Sequence, residues 1–482
     1  VNRRNTAALI ALGGSLVPYA AVLSLFPATG DQDAALHALF ARFPEPIRVL
    51  GVWARPLFAA PYVLPARFGY LAMRIFTVLV CAAVAWVTYL VVRRVGVARA
   101  WVAIPLVLLQ PVFLQVGSDT MTEPTFALCL ALGLLAFAYD RLLLAAAVWS
   151  FLPLARPEGP FVLALFAALW LPRALRDRRY AAAIALLGVG MLVWVVACLI
   201  VTGSVAYVTH LPWGLGSPMR GPATHYITRW PHIVGLGLLP LWLVGLWPSW
   251  RHPVTRLCIL IIGAVLVVHT VLFTAGMMGT FGFDRYFATL ASPVAIIAAV
   301  GADAIGRRVP HVLGAALGAL LALEVVHALV ALDSNAINHA AQATLMSTRE
   351  ARNDPGVAGR PLISADNFGY VFLDDDWGLE RLPVGVRDSA VATIDRLPNG
   401  TVVLWDDLTG DWWYHLSVED FTARGYRLLW ERRLTVGSPL APLYERVAAS
   451  RLRWLYAWMG GIPTREMREA VLVREKGQVV KR

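Results

Sequence analysis

Two acids separated by one residue, Asp31 and Asp33, follow the first long apolar stretch of the chain. A carboxylate there can act as a general base that takes a proton from an attacking hydroxyl. It can equally cap the next helix, a position where Asp is favoured. Arg55 precedes Pro56 in the same loop. Its guanidinium can grip a phosphate through two parallel hydrogen bonds, or snorkel among lipid headgroups. In Ser118 to Pro124, Thr122 or Asp119 would cap a helix, and Glu123 suits that helix's first turn. Arg156-Pro157-Glu158-Gly159 adds opposite charges to a turn that needs only its Pro and Gly. The pair can neutralise itself or face a cavity. Arg285 and Tyr286 can bind an anionic headgroup or anchor a helix at the interface. His210, His225 and His232 are spaced too irregularly for a zinc motif, and no metal is assigned. His210 lies in a loop suited to cover a cavity and is kept as a substrate-contacting candidate.

These groups interrupt a chain that is otherwise built for lipid. Of its 482 residues, 58% are hydrophobic and 15% charged, and the mean hydropathy is +0.62. A spanning helix needs roughly 20 apolar residues. Segments 6–27, 69–91, 101–117, 123–139, 142–155, 159–172, 180–201, 233–249, 254–274, 286–305 and 310–332 predict about eleven transmembrane helices, with 142–155 and 159–172 short enough to form a tilted hairpin. The first segment opens a series, so it does not read as a signal peptide. The charge of +11 is dispersed through loops without interleaved aromatics, which argues against nucleic acid as a partner. Cys81, Cys129, Cys198 and Cys258 all lie within apolar segments and read as small core residues.

Short loops rich in Arg predict the cytoplasmic side. Arg3, Arg4, Arg93, Arg94, Arg99, Arg141, the 173–179 cluster, Arg251, Arg256, Arg307 and Arg308 fall on one side. The candidate residues listed above fall on the other. Ionisable groups at membrane depth are costly, so their gathering at one face suggests a single site. The first outer loop, 28–68, has helical periodicity over 33–42 and 46–60. The Gly- and Pro-rich loop 202–232 suits a mobile or re-entrant segment.

After residue 333 the composition becomes polar. Short strands are expected at 361–364, 401–405 and 426–434, and helices at 339–353, 388–396 and 417–424. The domains expected are therefore a transmembrane domain, 1–332, and an extracytoplasmic α/β domain with a basic tail, 333–482. No inverted repeat of the transporter kind is evident.

In this order, the motifs of residues 1–332 resemble those of the polytopic GT-C glycosyltransferases, which use polyprenyl-phosphate sugars. Similar proteins include bacterial relatives of the protein O-mannosyltransferases and the aminoarabinose transferases. The resemblance implies that Asp31 or Asp33 is the catalytic base. It also implies that Arg55-Pro56-Leu57-Phe58 matches the donor-phosphate motif. Thr122-Glu123, Arg156 to Gly159 and Arg285-Tyr286 match the family's later motifs. The family usually has an Asp-Glu pair after its first helix, whereas Gln32 separates the acids here. Both acids stay candidates, with Asp33 favoured because His37 occupies a place the family often gives to Tyr or His.

The implied activity is inverting transfer of a sugar from a polyprenyl-phosphate carrier to a lipid, glycan or protein acceptor. It would occur at the outer face of a bacterial cytoplasmic membrane, with no cofactor. Asp31 or Asp33 would serve catalysis, and Arg55, Glu123, Arg156, Glu158, His210, Arg285 and Tyr286 would contact substrate. No glycine-rich phosphate loop after a strand points to a nucleotide donor. A lipid or solute transporter is the main rival, but it would place its charges near the midplane on broken helices. A non-catalytic envelope scaffold would leave the convergence of Asp31, Arg55, Arg156 and Arg285 unexplained.

Overall fold

A computed structural model of the chain describes residues 3–30, 32–51, 55–205, 219–333, 336–357, 359–374, 387–437, 446, 449–451, 453–454 and 464–475. Every apolar stretch predicted above forms helix over most of its length. Among the described residues, six helices are long and apolar enough to cross a membrane. They are Asn5–Leu25, Tyr70–Val95, Arg178–Thr202, Pro253–Ala275, Asp284–Arg308 and Gly314–Leu332. Two bent pairs raise the number to eight: Ala100–Leu108 with Pro111–Gly117, at 67°, and His225–Val234 with Leu239–Ser249, at 104°. The expected count of about eleven included Glu123–Ala138, Leu142–Ala155 and Gly159–Ala174, which are apolar but short. Hydropathy reads composition. The breaks at Tyr139–Arg141 and Arg156–Glu158 set the lengths.

The chain forms two compact units. One comprises Val1–Val22 and Phe40–Leu329, the other Leu23–Leu39 and Val330–Arg482. In the first unit, helix Leu239–Ser249 packs on Ala291–Arg308 backbone to backbone. A Cβ at Gly245 would lie 2.0 Å from the Ile297 carbonyl oxygen, and one at Gly301 would lie 1.9 Å from that of Leu241. Small residues permit such approach where lipid supplies little drive for helix association. The sharp bend before Leu239 has a polar cause. Glu324, buried on helix Pro310–Asp333, accepts from the Gly237 amide at 2.7 Å. It thereby satisfies a donor that the broken helix would leave orphaned. Ile10, Ile200, Trp247 and Val267 are each more than 60% exposed, as lipid-facing residues are.

The second unit holds a four-stranded sheet of β1 (Leu362–Ser364), β2 (Val402–Asp406), β3 (Tyr426–Gly437) and β4 (Thr464–Arg474), in the order β1-β2-β4-β3. β1 and β2 are parallel, and β4 runs antiparallel to both of its neighbours. The first three strands were legible in the sequence. β4 falls in what read as a basic tail. Arg465, Glu466, Arg468 and Glu469 hide its pattern, while the Ala470–Val473 run is apolar on both faces. The two faces fit a strand covered on both sides. Ala470 and Leu472 pack with Ile363, Ile394 and Trp405, and Val471 and Val473 pack with Ala351 and Leu404.

Asp406 and Glu469 face each other across β2 and β4, both buried. Burial, then the neighbouring Asp366, pushes Asp406 up to about 7. Burial, then Asp406, pushes Glu469 up to about 9. Raised carboxyl values mean that the folded unit holds protons that the unfolded chain releases above about pH 4. Their contribution is complete below about pH 4 and is lost as pH rises through 7 and 9. Hydrogen-exchange protection of Val402–Asp406, corrected for intrinsic rates, should therefore fall from pH 5 to pH 9. Asp406→Asn with Glu469→Gln should flatten that trend, a gain on the order of 1–3 kcal/mol at pH 9. A wild-type trend that rises with pH would contradict this account.

Candidate functional site

The Arg156–Gly159 turn organises the charged residues of the first unit. Helix Leu152–Ala155 ends at Arg156 in extended backbone, and helix Gly159–Ala174 begins three residues later. A Cβ on Gly159 would sit 2.3 Å from the Pro153 nitrogen, so only glycine lets the turn close this tightly. Arg156 Nη1 lies 2.7 Å from Glu123 Oε1, and Nη2 lies 2.8 Å from Glu158 Oε1. Its Nε donates to Glu158 Oε2 at 3.0 Å, and Nη1 to Thr122 Oγ1 at 2.9 Å. All four residues are buried. Thr122 therefore accepts from Arg156 instead of capping helix Glu123–Ala138, whose N-terminus has no side-chain cap from it. The self-neutralising Arg156–Glu158 pair is present, but it is one edge of a wider network.

Arg285 enters from the start of segment Asp284–Arg308 and lies 3.6 Å from Glu123 Oε1. Arg156 and Arg285 each sit 5.7 Å from the centroid of the Tyr286 ring, within cation–π range. Neither carboxylate oxygen of Glu123 has an aligned hydrogen-bond donor, although both are shut off from solvent. The adjacent Asp284 forms a separate forked pair with Arg229, with contacts of 2.5 to 2.8 Å. That pair braces the segment that presents Arg285 and Tyr286.

Arg55 is nearly fully buried. Its Nη1 donates to the Pro153 carbonyl at 2.7 Å, and its guanidinium carbon lies 5.2 Å from the Trp194 ring centroid. Nε has no hydrogen-bond partner among the described residues. The residue holds φ 53° and ψ 139°, a region that L-residues seldom adopt, directly before Pro56. Such strain, on the order of 1–3 kcal/mol, persists where the surroundings enforce it. Burial pulls Arg55 down to about 9, with Glu158 opposing and Arg156 reinforcing that pull. It still carries charge at neutral pH. Burial also disfavours the Glu158 anion, but Arg156 and His269 outweigh it and hold that carboxyl well below the usual carboxylate range.

His269 was missed in the sequence. Its Nε2 is 3.3 Å from Glu158 Oε1, and its ring stacks on Tyr286 at 5.1 Å between centroids. The available signal was an imidazole in the middle of the apolar segment 254–274. Tyr70 and Arg74 were missed as well. Tyr70 donates to Asp119, and Arg74 Nε donates to the Ser118 carbonyl at 2.8 Å, which pins the loop before Thr122.

Six predicted site residues thus gather in the first unit: Arg55, Glu123, Arg156, Glu158, Arg285 and Tyr286. Asp33 belongs to the second unit, in the first turn of helix Gln32–Arg42, with His37 buried one turn on. Asp31 and His210 lie outside the described residues. No group of three or more His, Cys, Asp or Glu side chains able to hold a metal occurs among the described residues.

Three guanidinium groups against two carboxylates leave one net positive charge in a largely buried cluster, before His269 is considered. An apolar cavity of about 440 Å³ lies alongside, lined by Leu57, Tyr62, Phe76, Thr125, Leu128 and Phe151 among others. Leu57 is two residues beyond Arg55, and Thr125 two beyond Glu123. Together these features can receive a lipid-linked anion of single charge.

The helices and the C-terminal sheet define an α-helical polytopic membrane protein with a small α/β unit. The fold matches the crystal structure of ArnT from Cupriavidus metallidurans bound to undecaprenyl phosphate, with a TM-score of 0.61 and 12% identity over 96% of this chain and 97% of that one. The apo state of the same protein matches with a TM-score of 0.58, at the same identity and coverage. Identity this low carries the fold alone. No protein-family model and no curated protein matches the chain.

Proposed function

We propose that the chain is an inverting glycosyltransferase that moves a sugar from a polyprenyl-phosphate carrier to a lipid, glycan or protein hydroxyl. The observation that carries this reading is the cluster of buried Arg55 and Arg156 and half-buried Arg285 against Glu123 and Glu158, with its single excess positive charge beside an apolar cavity. A polyprenyl-phosphate sugar is a phosphodiester with one negative charge and an apolar tail. The ArnT likeness supports the same carrier class, since that protein is seen with undecaprenyl phosphate.

Asp33 or Asp31 removes the proton of the acceptor hydroxyl. The acceptor oxygen bonds to the anomeric carbon from the face opposite the phosphate. The bond from that carbon to the phosphate oxygen breaks, and its electron pair leaves on the phosphate. The phosphate's charge thereby grows from one towards two. Preorganised Arg55 and Arg285 attract the later charge more than the earlier one, so they favour the transition state over bound donor.

The test uses the full chain in lipid nanodiscs. A polyprenyl-phosphate sugar should support transfer, and a soluble nucleotide sugar without a lipid carrier should not. The reverse result would remove the donor class. Each of Arg55→Ala and Arg285→Ala should weaken donor binding roughly tenfold to a hundredfold, since a charge-assisted hydrogen bond contributes about 1.5–3 kcal/mol. Arg55→Lys should lose less, because it keeps the charge and loses only the fork. Unchanged donor binding by the Arg55→Ala, Arg285→Ala double variant would dismiss both residues.

The reading also places the protein in a bacterial cytoplasmic membrane with residues 333–482 outside, on the Arg bias of the short loops. Cysteines introduced at Arg176 and Arg360 test it in spheroplasts with an impermeant thiol reagent. Position 360 should label and 176 should not, and the opposite pattern would invert the topology.

A further inference from the structure

Gln32 stands between the two candidate bases, and the second unit holds it at the backbone and at the side chain. The Asn367 amide donates to Gln32 Oε1 at 2.8 Å. Asn367 Nδ2 donates to the Gln32 carbonyl at 3.4 Å. The Asp366 carboxylate lies against the same Gln32 side chain. These partners are 335 residues apart in sequence yet belong to one compact unit. Asp366 lies two residues past the end of β1 and caps helix Asn367–Leu373, accepting from Phe368 N at 2.7 Å. Asp366 and Asn367 are both buried. The clamp therefore hangs from the carboxyl end of a sheet strand, which is a rigid support.

Asn367 is the first residue of its helix, so its amide is one of the donors a helix leaves without an internal partner. Water or any nearby acceptor could satisfy it. Here the acceptor is the one residue whose two chain neighbours are Asp31 and Asp33. We infer that Gln32 is a positioning residue, pinned by Asn367 and Asp366 so that the acid beside it is held in the geometry proton removal requires. This rests on the reading that Asp31 or Asp33 is the base. It also gives Gln32 a task that an acid at that position would perform poorly. A carboxylate there would accept from the same amide but would set a second acid against buried Asp366.

Asn367→Pro separates the clamp from the fold. Proline at a helix's first position costs no intrahelical hydrogen bond, and its ring carbon takes the place of the N–H against Gln32 Oε1. Asp366 at φ −88° and ψ 130° already has the extended backbone that proline demands of the residue before it. The substitution deletes both donors to Gln32 and keeps the Asp366 cap. Gln32→Ala removes the clamp from the other side and serves should Asn367→Pro fail to fold. Asn367→Ala keeps the amide and loses only the longer contact.

Steady-state transfer by the full chain in nanodiscs is the measurement. Asn367→Pro and Gln32→Ala should each lower kcat roughly tenfold to a hundredfold, the loss expected when a reacting group is displaced by about 1 Å. Donor KM should stay within about twofold, and Asn367→Ala should lie between these variants and wild type. A matching rise in donor KM would indicate general loosening and would overturn the inference. Wild-type kcat in Asn367→Pro and Gln32→Ala, alongside inactive Asp33→Asn or Asp31→Asn, would overturn the clamp and leave the base reading standing. Active Asp33→Asn and Asp31→Asn would remove the base reading, and the inference with it.

Discussion

Replacing the proposed base with its amide is expected to abolish transfer while leaving the protein folded. Either Asp33→Asn or Asp31→Asn should lower kcat by about 10²–10⁴, the usual contribution of positioned proton transfer. The amide separates chemistry from structure, because Asn caps a helix about as well as Asp but cannot accept the proton. Donor binding should be unchanged, since the Arg cluster is left intact. Near wild-type turnover in both single variants, measured with purified donor and acceptor, would show that neither acid is the base.

The second large effect concerns stability. Arg156 is the partner of both Glu123 and Glu158 inside a buried pocket. Arg156→Met would leave Glu123 only the longer contact to Arg285 at 3.6 Å and Glu158 only that to His269 at 3.3 Å, where water cannot reach them. Breaking a buried pair from one side costs about 3–5 kcal/mol, because the remaining charge is uncompensated. The thermal midpoint of Arg156→Met in detergent should fall clearly below that of wild type. Adding Glu123→Gln and Glu158→Gln should recover most of the loss, since the stranded charges are then gone. Donor binding should not recover with it. A midpoint for Arg156→Met equal to that of wild type would mean that the network carries little of the fold.

Much of this arrangement was legible in the sequence because lipid makes polar residues conspicuous. Arg156 and Glu158 in an apolar hairpin, or Arg285 at a helix start, stand out at a cost that composition alone reveals. Their partners are set by tertiary packing. Nothing in the spacing tells that Arg156 reaches back 34 residues to Thr122, or that Arg55 turns its guanidinium onto the Pro153 carbonyl. His269 was passed over because one imidazole hardly changes the hydropathy of a long apolar segment. The Asp119 and Thr122 capping readings were reasonable on propensity, yet Thr122 accepts from Arg156 and Asp119 accepts from Tyr70. Long-range charge overrode a local preference worth about 1 kcal/mol. β4 was hidden for the opposite reason. Its first half is charged enough to resemble solvent-exposed tail, and only pairing with β2 and β3 shows that its second half is interior.

The sheet's strand order also bears on how the chain matures. β4, the last strand in sequence, lies between β2 and β3, so the sheet cannot close until residues 464–474 have left the ribosome. Leu23–Leu39, among the first residues made, belong to that same unit. The segment with Asp33 must therefore wait through the insertion of every intervening helix before the strand that completes its support exists. On the proposed function, chains stalled or clipped ahead of β4 would own the donor-binding Arg cluster without a finished mount for the base. They could hold a costly lipid-linked donor without spending it.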